Sequence, residues 1–124
     1  MTDRPIKTPG PEHPIDIEKP GTTWRAVHHG QVIAESSNVL VMREASYPPV
    51  AYFPRDDVNM DMLTSTEHHT YCPFKGEAGY FSVRAGGESE KNAVWTYENP
   101  HPAVEEIRCR LAFYASKLDS VAEV

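Results

Sequence analysis

The sequence predicts a mainly-β protein: a single compact domain of short antiparallel strands forming a curved sheet or open barrel. Three observations carry that prediction. No sustained helical period of about 3.6 residues runs along the chain. Apolar residues come instead in short runs, several of them alternating, and each run is bounded by turn-forming residues. The length, 124 residues, is one domain's worth of polymer and can bury one modest core.

The elements follow in chain order. Residues 1–21 hold Pro5, Pro9, Pro11, Pro14 and Pro20, out of 11 prolines in all. Proline fixes its own φ and cannot donate to a sheet ladder, so this stretch is predicted as an extended arm, with residues 22–124 as the body. Ile15 and Ile17 alternate, which gives the arm one apolar side for the body or for another subunit. Residues 22–28 read as a strand with Trp24, Ala26 and His28 on one face. His29-Gly30 is a two-residue turn signal, and residues 31–35 return as the partner strand. After the turn Ser36-Ser37-Asn38, the run Val39-Leu40-Val41-Met42 is short and wholly apolar, as in a strand buried on both faces. Tyr47-Pro48-Pro49 then breaks the sheet, and residues 60–66 are predicted as a further short strand. Residues 77–84 form a clearer strand, with Phe81 and Val83 opposite Tyr80 and Ser82. Residues 85–91 are a polar hairpin loop, and residues 93–98 return with Trp95 and Tyr97 on one face. A single helical turn over residues 103–107 and a last strand, Leu111-Ala112-Phe113-Tyr114, complete the body.

Composition removes several classes of partner. The net charge of −6 provides no basic stripe to displace counterions from nucleic acid, and it disfavours an anionic membrane surface. No apolar run approaches the ~18–20 residues of a membrane span. The start, Met1-Thr2-Asp3-Arg4-Pro5, lacks the basic-then-apolar pattern of a secretory signal. Two cysteines in such a chain are expected to be thiols. Together these predict a cytoplasmic protein with no nucleic-acid and no membrane partner.

Chemistry-bearing residues are densest in Thr70-Tyr71-Cys72-Pro73-Phe74-Lys75-Gly76. A thiol becomes a useful nucleophile where its thiolate is favoured, as beside a cation. Lys75 lies three residues beyond Cys72, close enough to fold back across a turn, while His68 and His69 just upstream are candidate bases. The plain alternative is that Cys72 is a small buried hydrophobe, Pro73 shapes a turn and Gly76 supplies a positive φ.

The order of blocks also carries a resemblance. It runs Ile33-Ala34-Glu35-Ser36, then Tyr52-Phe53-Pro54-Arg55-Asp56-Asp57-Val58, then the residue 70–76 motif. Ala78-Gly79-Tyr80, Ala93-Val94-Trp95-Thr96-Tyr97 and Leu111-Ala112-Phe113-Tyr114 follow. Over residues 24–121 this closely resembles the small bacterial family catalogued as domain of unknown function 427. The resemblance implies a curved mainly-β domain, similar in topology to the methionine-R-sulfoxide reductases and to the Rab-binding protein Mss4. It implies little about function beyond a nucleotidyltransferase-like label. Phe53 and Phe74 stand where the family often has tyrosine, so two phenolic hydroxyls are absent.

Two constellations fall short of that chemistry and of a metal site. Asp56, Asp57 and Asp61 supply carboxylates for Mg²⁺, but no glycine-rich phosphate loop accompanies them, and an Asp-Asp pair after Pro-Arg is more simply a turn or cap. His68, His69, Cys72, His101 and Cys109 offer nitrogen and sulfur, but no C-x-x-C pair is present, so no metal is predicted. The cofactor is left unknown.

The reading that follows is a pocket for a small polar or anionic molecule beside the residue 70–76 turn. Tyr52, Tyr71, Tyr80, Trp95 and Tyr97 wall it, Lys75 and Arg55 hold the ligand, and Cys72 with Lys75 form its catalytic pair if chemistry occurs there. A second reading is a non-catalytic homodimeric interaction domain, in which arm and aromatics form the interface. The third is the nucleotidyltransferase-like label. Whether the protein is an enzyme stays open at this point.

Overall fold

The computed structural model describes residues 4–124. Three antiparallel sheets make up the molecule, and none of them closes into a barrel. β2 (Trp24–His28) and β3 (Gln31–Ser36) form the predicted hairpin, with β10 (Ser120–Glu123) on the outer side of β2. Both turn residues are left-handed, His29 at φ 49° and Gly30 at φ 73°, the geometry that matches the twist of a two-residue hairpin. The pairing slips between Ala26 and Val27, a bulge that breaks strict alternation.

A second sheet has the order β1 (Ile15–Glu18), β4 (Leu40–Glu44), β5 (Val50–Tyr52). Its first strand lies within the proline-rich stretch, where the alternation of Ile15 and Ile17 against Asp16 and Glu18 gives one half-buried side and one exposed. The largest sheet runs β6 (Leu63–Cys72), β7 (Gly76–Ala85), β8 (Glu88–Thr96), β9 (Leu111–Phe113). Backbone pairing between Phe53 and Leu111 joins β5 to β9, and a bridge from Ala34 to Val58 ties in the segment after β5. Short 3-10 turns at Arg55–Asp57, Met60–Met62 and Pro102–Ile107 fill the corners. Among the described residues no helix is long and apolar enough to cross a membrane.

Two apolar clusters lie between the sheets. One gathers Ile33, Val39, Phe53, Val83, Val94 and Leu111. The other is richer in hydroxyls: Tyr52, Tyr80 and Tyr97 pack with Met42, Val104 and Ile107, and Ile15, Ile17 and Trp95 close over them. Removing that much apolar surface from water is the main driving term for the fold.

Some boundaries differ from the sequence-based expectation. β6 starts at Leu63 and runs on to Cys72, so the motif sits at a strand end and its tight turn rather than in a separate loop. Its Thr, Ser, Glu and His side chains are mostly exposed, which removes the apolar alternation that would have marked it. β7 and β8 reach toward each other until only Gly86 and Gly87, both at positive φ, separate them. The polar residues 88–91 therefore belong to a strand and not to a loop.

Candidate functional site

The motif's turn is fixed from three sides. The Lys75 N–H donates to the Cys72 carbonyl at 3.2 Å, closing a four-residue turn around Pro73 and Phe74. The Lys7 N–H, from the N-terminal segment, donates to the Pro73 carbonyl at 3.0 Å, and the His101 N–H donates to the Lys75 carbonyl at 2.9 Å. Gly76 adopts φ 112°, and a Cβ there would come within 3.4 Å of the Asn99 carbonyl oxygen. The positive φ is what favours glycine here, since the Cβ contact itself would be an ordinary one.

This fixed turn aims Lys75 inward. Its Nζ donates to Glu44 Oε1 at 2.5 Å, and the two side chains are only 15% and 12% exposed. The other carboxylate oxygen, Oε2, accepts from His13 Nε2 at 2.7 Å. The His13 ring stacks flat on Phe74, with centroids 3.9 Å apart. One carboxylate at the end of β4 thus joins the N-terminal segment, the second sheet and the motif. Burial works to raise the Glu44 pKa, but the hydrogen bonds from Lys75 and His13 outweigh it and hold the carboxyl below its ordinary value.

Beside this ion pair lies a cleft of about 520 Å³. Cys72, Lys75 and Glu44 line it together with Trp24, Trp95, Phe113, Tyr114 and the Tyr47-Pro48-Pro49 loop. The Trp95 and Tyr114 rings are 4.5 Å apart. Trp95 Nε1 donates to the Tyr52 hydroxyl at 3.3 Å, with the two rings edge to face. Trp24 Nε1 is buried and has no hydrogen-bond partner among the described residues.

The sequence-predicted site residues divide. Cys72, Lys75 and Trp95 meet in the cleft. Tyr52 and Tyr97 lie beneath it, almost wholly buried in the second cluster. Burial pushes both phenols far up, so they remain protonated and act as hydroxyls, never as bases, near neutral pH. Tyr114, at the cleft wall, is pushed up to about 12 by burial and by the neighbouring Tyr80 phenol. Tyr80 is tied to the Thr70 hydroxyl at 2.9 Å and borders a separate polar hollow of about 290 Å³. Tyr71 faces the N-terminal segment: its hydroxyl donates to the Pro5 carbonyl at 2.7 Å, and the Arg4 guanidinium sits 4.7 Å from its ring centre.

Arg55 is a correction to the expected pairing with Lys75. It lies at another corner, donating to the Cys109 carbonyl, Thr96 and Glu98, because its 3-10 turn faces the end of β8. The upstream histidines are a second correction. A strand rises about 3.3 Å per residue, so His69 stands on the order of 10 Å along β6 from Cys72, and His68 lies in the irregular stretch before it. His68 instead packs edge-on against Tyr80. Cys72 Sγ makes no hydrogen bond to a base among the described residues. The candidate metal ligands are also dispersed, with His101 bonded to Tyr71 and Cys109 on an exposed corner. Of the acidic set, Asp57 accepts from Ser36 at 2.6 Å and serves the turn.

Sequence reasoning missed Glu44 and His13. Neither sits in a motif, and each acquires its role only by meeting Lys75 across sheets. Trp24 and Tyr114 were visible as aromatic residues, but no spacing linked them to Cys72.

A family model described as "Domain of unknown function (DUF427)" matches residues 16–124. No curated protein matches the chain.

Proposed function

The chain belongs to that DUF427 family, whose description assigns no activity, and from this premise we propose that the protein binds a small molecule in the cleft beside the residue 70–76 turn. One observation carries the reading. Cys72, Lys75 and Trp95, which the sequence separates by up to twenty-three positions, line a single cleft of about 520 Å³. That volume lies within the ~300–1,000 Å³ range of small-ligand sites, and the walls are mostly apolar with a few polar groups, as such sites are. The rigid turn supports it further, since a preorganised wall loses little entropy when a ligand arrives. Cys72 supplies a thiol at the wall. With no base hydrogen-bonded to it among the described residues, the reading is one of binding, without a chemical step.

The test uses a Cys109→Ser background, so that Cys72 is the single thiol. Iodoacetamide should label folded protein near pH 8, and the adduct should change the fluorescence of Trp24 and Trp95, the chain's two tryptophans, both of which border the cleft. A thiol that stays unreactive until the protein unfolds would sink the reading, because the cleft would then be closed to small molecules.

A further inference from the structure

The charges of the cleft decide what it can hold. The sequence suggested that Lys75 waits for an anion. In the folded chain the charge of Lys75 is already balanced: its Nζ donates a hydrogen bond to Glu44 Oε1 at 2.5 Å. Glu44 and Lys75 are the charged residues of the wall, and they are of opposite sign. Each oxygen of Glu44 already accepts one hydrogen bond, Oε1 from Lys75 and Oε2 from His13. An anion entering here would have to displace a buried carboxylate from its two donors or sit beside it, and either course carries a desolvation and like-charge penalty. A cation meets the same obstacle at Lys75.

The rest of the lining is largely aromatic. Trp24, Trp95, Tyr114 and the mostly buried Phe113 line the cleft, and Tyr47 with Pro48 and Pro49 borders it. Tyr47 is 64% exposed, so its ring is accessible at the rim of the cleft. Aromatic walls favour planar partners through offset stacking and edge contacts.

We propose that the ligand of this cleft is an uncharged, planar, ring-bearing small molecule, with the Lys75–Glu44 pair acting as a self-neutralised wall that excludes anions. This rests on the cleft being the binding site, as proposed above. Glu44 is thereby a specificity-determining residue: it keeps Lys75 from serving as an anion receptor.

Three probes sharing one ring test it: benzyl alcohol, benzoate and benzylammonium. The readout is the pair of indole N–H signals of Trp24 and Trp95 in a ¹H–¹⁵N correlation spectrum of the full chain. Benzyl alcohol should shift both signals saturably, and the two charged probes should bind at least tenfold more weakly. In Glu44→Gln, with folding checked by the rest of the spectrum, Lys75 loses its counter-charge and benzoate should become the preferred probe. Benzoate binding the unaltered protein as tightly as benzyl alcohol would overturn the inference while leaving the binding cleft standing. So would a Glu44→Gln variant that folds and keeps the original ranking. If no probe moves either indole signal, both the inference and the cleft reading fall.

Discussion

At the scale of single residues, Glu44 carries the most consequence. Its carboxyl titrates below the ordinary value of 4.5 because Lys75 and His13 favour the charged form more than burial disfavours it. A depressed carboxylate stabilises the fold in full above the unfolded-state pKa, and that contribution is lost as pH falls through the folded one. Glu44→Gln should therefore lower stability at pH 7 by on the order of 2 kcal/mol, seen as a lower Tm, and should flatten the acid limb of Tm against pH. A variant whose acid limb parallels the parent's would show that the pair is not coupled to folding. Gly76→Ala should be destabilising by more than about 1 kcal/mol in denaturant titration, since alanine would have to adopt a positive φ. Tyr52→Phe removes the acceptor of the Trp95 indole at little change in volume. It should lower stability by about 1–2 kcal/mol and move the Trp95 indole signal. An unmoved signal would show that the 3.3 Å contact is not made in solution.

At the scale of elements, the N-terminal segment behaves as a strap. Arg4 pairs with Glu77 at 3.0 Å, Lys7 caps the motif turn, His13 holds Glu44, and β1 then adds a full strand to β4. Deleting residues 1–14 should lower Tm by several degrees, and deleting residues 1–21 should lower it further, because Ile15 and Ile17 then no longer cover the second cluster. Sedimentation should give the same number of chains per particle before and after truncation. Dissociation of an assembly on truncation would favour the interface reading of the arm instead. Which elements the sequence disclosed depended on their environment. The β2–β3 hairpin announced itself through an apolar alternation and a His-Gly turn. β1, β5 and β10 are each only three or four residues long and were not expected as strands. Such short strands hold together by long-range pairing, which leaves almost no local pattern. Most of β6 was hidden because its free edge faces solvent and its side chains are polar.

At the scale of the whole molecule, the sheets meet around two cores of different character. The first is aliphatic and aromatic and serves stability. Leu111, fully buried where β9 meets Phe53, should cost about 2–5 kcal/mol when cut to alanine. The second is lined with phenols and opens into the cleft. Composition, the absence of a helical period and the spacing of turns were enough for the mainly-β class, because period and turn chemistry are local properties of a chain. The density of the residue 70–76 motif likewise marked one corner of the candidate cleft, since a thiol, a lysine and two backbone-fixing residues in one turn are visible without coordinates. The partners of that corner were not. Glu44 and His13 come to Lys75 from thirty-one positions away and from the proline-rich segment, and Arg55, which looked like a second cation for the site, is carried to a different corner. Charge in a sequence is a count, whereas charge in a site is a balance of neighbours at a few ångströms. Only the tertiary structure set that balance, and it turned a lysine that read as an anion receptor into one half of a closed pair.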